Sequence, residues 1–270
     1  MAERAWHVGW LYREQTNAKR QLLEDALASV DVAGIDSNFA EKVDAALTTL
    51  QDLENQRAGV TNRTLKVPQM AGYYSPLIQK FLVSVEAMVP ISENAGEGLT
   101  ARIGAYTQFL QGKERAGIER AMGAAGYGAG AFAPNIYRRF ISLIAAQSTF
   151  FRSAYEFASP DDLAFAKQTL SGPVVEEVDR LRKIALDSPQ TGTTAGIKAP
   201  VWFAAITKKI DLMKAVEAAL PKRSSVPSTI SAIMRGKTSR LSPFRSSFLS
   251  LPCWGFRSSS SAASPGQSEI

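Results

Sequence analysis

Along most of its length the chain spaces apolar residues three and four positions apart, the pattern that lines one face of a helix. Between Ser37 and about residue 63, Phe39, Val43, Ala46, Leu47, Leu50 and Leu53 draw one stripe, with Ser37 as the expected N-cap. Pro68 and Gly72 are expected to interrupt the helix. A second run from about residue 74 to 88 carries Leu77, Phe81, Leu82, Val85 and Met88 and stops before Pro90. A third, from about 92 to 122, sets Leu99, Ile103, Tyr106, Leu110, Glu114, Gly117 and Ala121 within about 40° of one line. Gly126, Gly128 and Gly130 then predict a break, and a further helix from Asn135 to Phe157 presents Phe140, Leu143, Ile144, Phe150 and Phe151.

The later starts are marked by their chemistry. Ser159-Pro160-Asp161-Asp162 combines an N-cap, a proline at the first helical position and two acids in the first turn. Ser171-Gly172-Pro173 repeats the device, and residues 189 to 196 read as a loop. From about Pro200 to Leu220, the positions Trp202, Ile206, Lys209, Met213, Val216 and Leu220 alternate by four and three, a coiled-coil-like seam holding one lysine. It is either a core helix with Lys209 snorkelling at its edge or a rod that passes movement onward. No segment sustains the period-two alternation of a strand. The predicted fold class is therefore all-α, an antiparallel helical bundle.

Composition changes this picture in two places. The net charge is +6, yet residues 221–270 contain 7 of the 31 basic residues and 1 of the 25 acids, which leaves 24 of each in the remainder. The body, residues 1–220, therefore has no bias towards polyanions, and no nucleic-acid partner is expected for it. The last 50 residues hold 15 serines without helical periodicity and read as a disordered basic tail or the product of a shifted frame. There is one cysteine, Cys253, and one histidine, His7, too few for a disulfide, a thiolate metal site or most acid–base machinery. Glu176-Glu177 and Asp161-Asp162 are adjacent, so on a helix they diverge by about 100° and cannot share a proton. Neither catalysis, a metal nor a cofactor is expected. No apolar stretch is long enough to cross a membrane.

Candidate chemistry sits in residues 112–121, where charges interrupt the apolar stripe. Glu114 lies on the core side, Arg120 about 80° off the stripe on its flank, and Arg115 about 140° off, facing solvent. Gly117 and Ala121, small and on the stripe, are expected to let another helix approach closely. In the helix from Val174 to Leu186, Arg182 lies on the flank and Arg180 faces outward. Two readings stay open: ion pairs that fix the register of the bundle, with Arg182 bound to Glu177 or Asp179, or guanidinium forks held for a small planar oxyanion.

Lys113-Glu114-Arg115-Ala116-Gly117-Ile118-Glu119-Arg120-Ala121 resembles the KE-x-AG-x-ERA signature of the bacterial nitrate- and nitrite-sensing domain. Ala199-Pro200-Val201-Trp202-Phe203 with Thr207-Lys208-Lys209-Ile210-Asp211 is similar to a second element of that family, and Gln147 with Phe150 and Phe151 to a third. Glu3-Arg4-Ala5-Trp6-His7-Val8-Gly9-Trp10-Leu11 looks like its first motif, with Ala5 in place of a glycine and residues 12–17 shortened. The resemblance covers residues 3 to about 220. It implies two stacked four-helix bundles that bind nitrate or nitrite through Arg4, Arg120 and Arg182, supported by Glu114 and Gly117, and that signal through the C-terminal helix. No output domain is recognisable after Leu220. A homodimer through helices is the expected assembly. The expected location is cytoplasmic as written, or extracytoplasmic if the module derives from a membrane receptor. The alternative is a structural or partner-binding bundle without ligand, which would need another chain to cover the Trp202–Leu220 seam.

Overall fold

The computed structural model describes residues 2–93 and 98–223, except for the side chains of 2–12, 67, 68 and 221–223. The elements are α1 (Ala2–Ala28), α2 (Val32–Ile35), α3 (Ser37–Leu50), α4 (Leu53–Thr61), α5 (Val67–Glu86) and α6 (Met88–Ile91). They continue with α7 (Leu99–Ala129), α8 (Pro134–Phe157), α9 (Pro160–Thr169), α10 (Pro173–Thr191) and α11 (Ala199–Arg223). There is no strand among the described residues, and the fold is an all-α bundle. The tail from 224 onward, expected to be disordered, lies outside the described residues.

Local chemistry explains most boundaries and corrects several. Asp36 caps α3, accepting from the Phe39 amide at 2.7 Å, so the expected cap Ser37 is instead the first helical residue. The predicted run from 37 to 63 is broken at residues 51–52 into α3 and α4. Helix α5 begins before the proline expected to stop it, because Pro68 sits in the first turn, where its missing N–H costs nothing. Ser159 caps α9 as predicted, whereas α10 is preceded by Gly172 at φ 84°, a left-handed-side conformation that glycine adopts without strain. The expected loop at 189–196 starts later, since α10 carries Pro189 and ends at Gly192.

The largest correction concerns the glycine-rich stretch. Helix α7 does not break at Gly126 or Gly128 but runs on to Gly130, which closes it in the left-handed conformation at φ 74°. The glycines inside it serve packing. A Cβ at Gly112 would lie 2.7 Å from the Phe151 ring, and those at Gly123 and Gly126 would collide with Trp202 and Phe132. Gly117, expected to be the point of close approach, is not one: among the described residues a Cβ there would meet nothing within 4 Å.

Two packing centres result. The larger joins the second half of α7 to α8, α9, α10 and α11 around Trp202, Phe140, Tyr127, Leu181 and Ile206. The smaller joins α3, α4 and α5 through Leu50, Leu53, Tyr74 and Leu77. Between them Leu82, Tyr106 and Leu110 form a third cluster, and Leu220 packs against this and the larger core. Trp202, Ile206, Met213 and Val216 are at most 1% exposed, so the coiled-coil-like seam is covered within the chain itself. The need for another chain to cover it, foreseen by the ligand-free reading, does not arise.

Candidate functional site

Helices α7 and α11 run antiparallel, because Lys113 pairs with Glu217 while Arg120, one heptad on, meets Thr207 and Trp202. Across this pair lies a layer of buried polar side chains. Glu119 of α7 is fully buried and receives a two-pronged contact from Arg182 of α10, with Nε and Nη2 each 2.7 Å from its oxygens. Gln147 of α8 completes a ring, donating to Glu119 at 2.8 Å and accepting from Arg182 at 3.0 Å. The third arm of Arg182 donates to Asp179 at 3.3 Å. A fork-to-fork carboxylate pair closed by a carboxamide satisfies groups that would be costly to bury singly. Its hydrogen bonds and the nearby carboxylates hold the Arg182 pKa above the usual guanidinium value, in spite of the burial that acts to lower it.

Arg120 of α7 is buried as well, but with different partners. Its Nη1 donates to the Thr207 hydroxyl at 3.2 Å, and its guanidinium lies over the Phe203 ring at 4.8 Å from the centroid. Its backbone carbonyl accepts from the Trp202 indole N–H at 3.0 Å. One residue of α7 is thus tied to three residues of α11 by side chain and main chain. Lys209 of α11, expected at the edge, is buried and reaches Asp179 at 3.7 Å. Burial, aided by the positive charge of Arg182, lowers its pKa.

The site residues expected from the sequence fare differently. Arg120 and Arg182 both enter the interior, though as separate stations of one layer. Arg4 lies on α1 in the stretch whose side chains are outside the described residues. Arg115 is half-buried over Phe150, and Arg180 is exposed and bound to Glu177, as its outward position predicted. Gly117 gives no close approach. Glu114 belongs elsewhere, to a second polar cluster with Lys113 and Glu217 that lies under α5. The residue missed outright is Glu119, the acid before Arg120 in the ERA motif. Among the described residues no cluster of His, Cys, Asp and Glu could hold a metal, and no helix is long and apolar enough to cross a membrane.

Burial pushes the Glu114 pKa up to about 7, against the opposing pull of Arg115, Lys113 and Arg120. A carboxyl raised in the folded state stabilises fully below its unfolded pKa of 4.5 and loses that contribution as pH rises through the folded value. At about 1.4 kcal/mol per unit, the expected loss between pH 4.5 and 7 is on the order of 2–4 kcal/mol. Urea unfolding at pH 5 and pH 8 should therefore show a steeper decline for the parent protein than for Glu114→Gln; equal declines would refute the assignment.

A family model described as nitrate and nitrite sensing matches residues 2–224. The nitrate regulatory protein of Klebsiella oxytoca is 28% identical over 216 residues, which is 77% of this chain and 53% of the relative. The structure of the NasR transcription antiterminator superimposes with a TM-score of 0.64 at 26% identity, covering 80% of this chain and 56% of that one. The chain thus spans about half the length of the relatives it matches. Both relatives are named as regulators, one of them a transcription antiterminator, and neither as a chemoreceptor.

Proposed function

The chain belongs to the nitrate and nitrite sensing family, and from that premise we propose that residues 2–224 bind nitrate or nitrite through arginines and report the event through α11. The observation that carries this reading is the placement of Arg120. Its guanidinium is buried, stacked on Phe203 and set beside the Thr207 hydroxyl. Stacking occupies the face of the cation, so its in-plane N–H edges are the ones a planar oxyanion meets. Arg4 and Arg182 add positive charge. Arg182 acts mainly by position, because an anion that drew it away would leave Glu119 buried without its counter-charge.

Transmission follows from the same contacts. Trp202 and Thr207 both bond to Arg120, so an anion that reorients this residue acts on α11 without an intermediary. The Lys113–Glu217 pair, further along, makes α7 and α11 move as coupled elements. Ligand binding then favours one of two packings of α11. The ligand-free reading keeps one foothold: the Glu119–Arg182–Gln147 ring is satisfied within the chain and sets helix register whether or not an anion binds. Regulation of transcription is the output that the names of the relatives favour.

Calorimetric titration of the chain with nitrate, with chloride as control, tests the proposal. Saturable, nitrate-selective heat is expected. Arg120→Ala should weaken it about tenfold to a hundredfold, the worth of one or two charge-assisted hydrogen bonds, while the helical circular dichroism stays unchanged. Unaltered affinity in a folded Arg120→Ala protein would remove this residue from the site.

A further inference from the structure

Thr207 of α11 is buried beside Arg120, and its Oγ1 accepts from the Arg120 Nη1 at 3.2 Å. A hydroxyl that accepts still has its own proton to give. Threonines within helices often give it to the carbonyl four residues back, as Thr49, Thr61 and Thr149 do in this chain at 3.0, 2.9 and 3.2 Å. Thr207 makes no such bond to Phe203, and its O–H has no acceptor among the described residues. The donors around it are committed. The Trp202 N–H is held by the Arg120 carbonyl, Lys209 reaches towards Asp179, and Arg182 grips Glu119 with two prongs. Phe203, one turn before Thr207, covers the face of the Arg120 guanidinium, so the hydroxyl lies at its edge.

A guanidinium edge presents parallel N–H groups that two oxygens of one planar ion satisfy. Nitrite has two oxygens, and both are then used. Nitrate carries the same charge and has a third oxygen still to satisfy. An arginine edge alone therefore gains little more from one ion than from the other, and a further donor decides between them. We propose that Thr207 is that donor, a specificity-determining residue whose O–H bonds the nitrate oxygen that Arg120 leaves unserved, so that the site prefers nitrate to nitrite. This rests on the reading of Arg120 as the anion-binding residue. It also joins the ligand to α11 by a bond of its own, in addition to the route through reorientation of Arg120.

The test is calorimetric titration of the full chain with sodium nitrate and, separately, sodium nitrite, in the parent and in Thr207→Val, which keeps the shape and removes the O–H. The parent is expected to bind nitrate about tenfold more tightly than nitrite, the worth of one hydrogen bond to a charged acceptor. Thr207→Val should weaken nitrate by about that factor and nitrite by clearly less, which brings the two affinities together. Thr207→Ser should restore the preference. If Thr207 only holds Arg120 in place, valine weakens both ions alike, and that result overturns the proposal. So does a parent that binds nitrite as tightly as nitrate, or a folded valine variant that keeps the parent's preference. Thr207→Ala, a better helix former, gives the same comparison where circular dichroism shows that valine disturbs the helix. A parent that binds neither ion is a separate outcome, which overturns the reading of Arg120 together with this one.

Discussion

Glu119→Ala is expected to destabilise the protein by about 3–5 kcal/mol, the cost of leaving a cation whose side chain is only 14% exposed without its partner. The carboxylate is wholly inaccessible, and its removal strips Arg182 of two 2.7 Å contacts and Gln147 of one. Asp179, at 3.3 Å and on the exposed rim, replaces little of this. Glu119→Gln is the instructive partner, since it keeps the shape, loses the charge and should fall between the parent and alanine. Urea unfolding followed by circular dichroism reads all three. A loss below about 1 kcal/mol for alanine would put the ring in the class of surface ion pairs and would contradict the burial on which its role rests.

The second large effect is expected at Trp202. This side chain is fully buried, stacked against Tyr127 at 5.7 Å between ring centroids and packed on Phe140 at 5.5 Å, and its N–H reaches the Arg120 carbonyl. Trp202→Ala should cost about 3–5 kcal/mol from the cavity alone. The indole also presses on α7 where Gly123 provides room, which makes a sharper forecast possible. Gly123→Ala should destabilise the parent protein by collision with the indole, yet be neutral or stabilising in the Trp202→Ala background, where the space is open and alanine favours the helix by about 1 kcal/mol. A double-mutant cycle measures that reversal. Additive losses would show that the indole and Gly123 are not in contact.

How much was legible beforehand depended on how many sides of a helix are covered. Helix α10 has one buried face, formed by Val178, Leu181 and Ala185, and counting 100° per residue placed Arg182 on its flank and Arg180 outside, as observed. Helix α7 is covered by α8, α10, α11 and the α5–α6 pair, so its single-stripe reading failed. Glu119 lies opposite Leu110 on the wheel and would face solvent if only the Leu110 side were buried; it is among the most deeply buried residues of the chain. The same misreading made Gly117 a contact point, left Gly123, which admits Trp202, without a role, and turned Gly126, which admits Phe132, into part of a supposed break. A glycine that ends a helix and one that lets an aromatic ring approach look alike in one dimension.

The sequence by itself determined the class of fold, the helical periods, the Ser159 cap, the absence of charge bias in the body and the motifs that carry the family. These depend on neighbours within one or two turns, where spacing and capping act directly. The tertiary structure decided which carboxylate answers each cation: Glu119 for Arg182 across 63 residues, and Glu217 for Lys113 across 104. It also decided that Arg120 addresses α11 and that the seam of that helix closes within the chain. Burial of a charge is settled by whether a partner arrives from a distant helix, and no local pattern of residues records that.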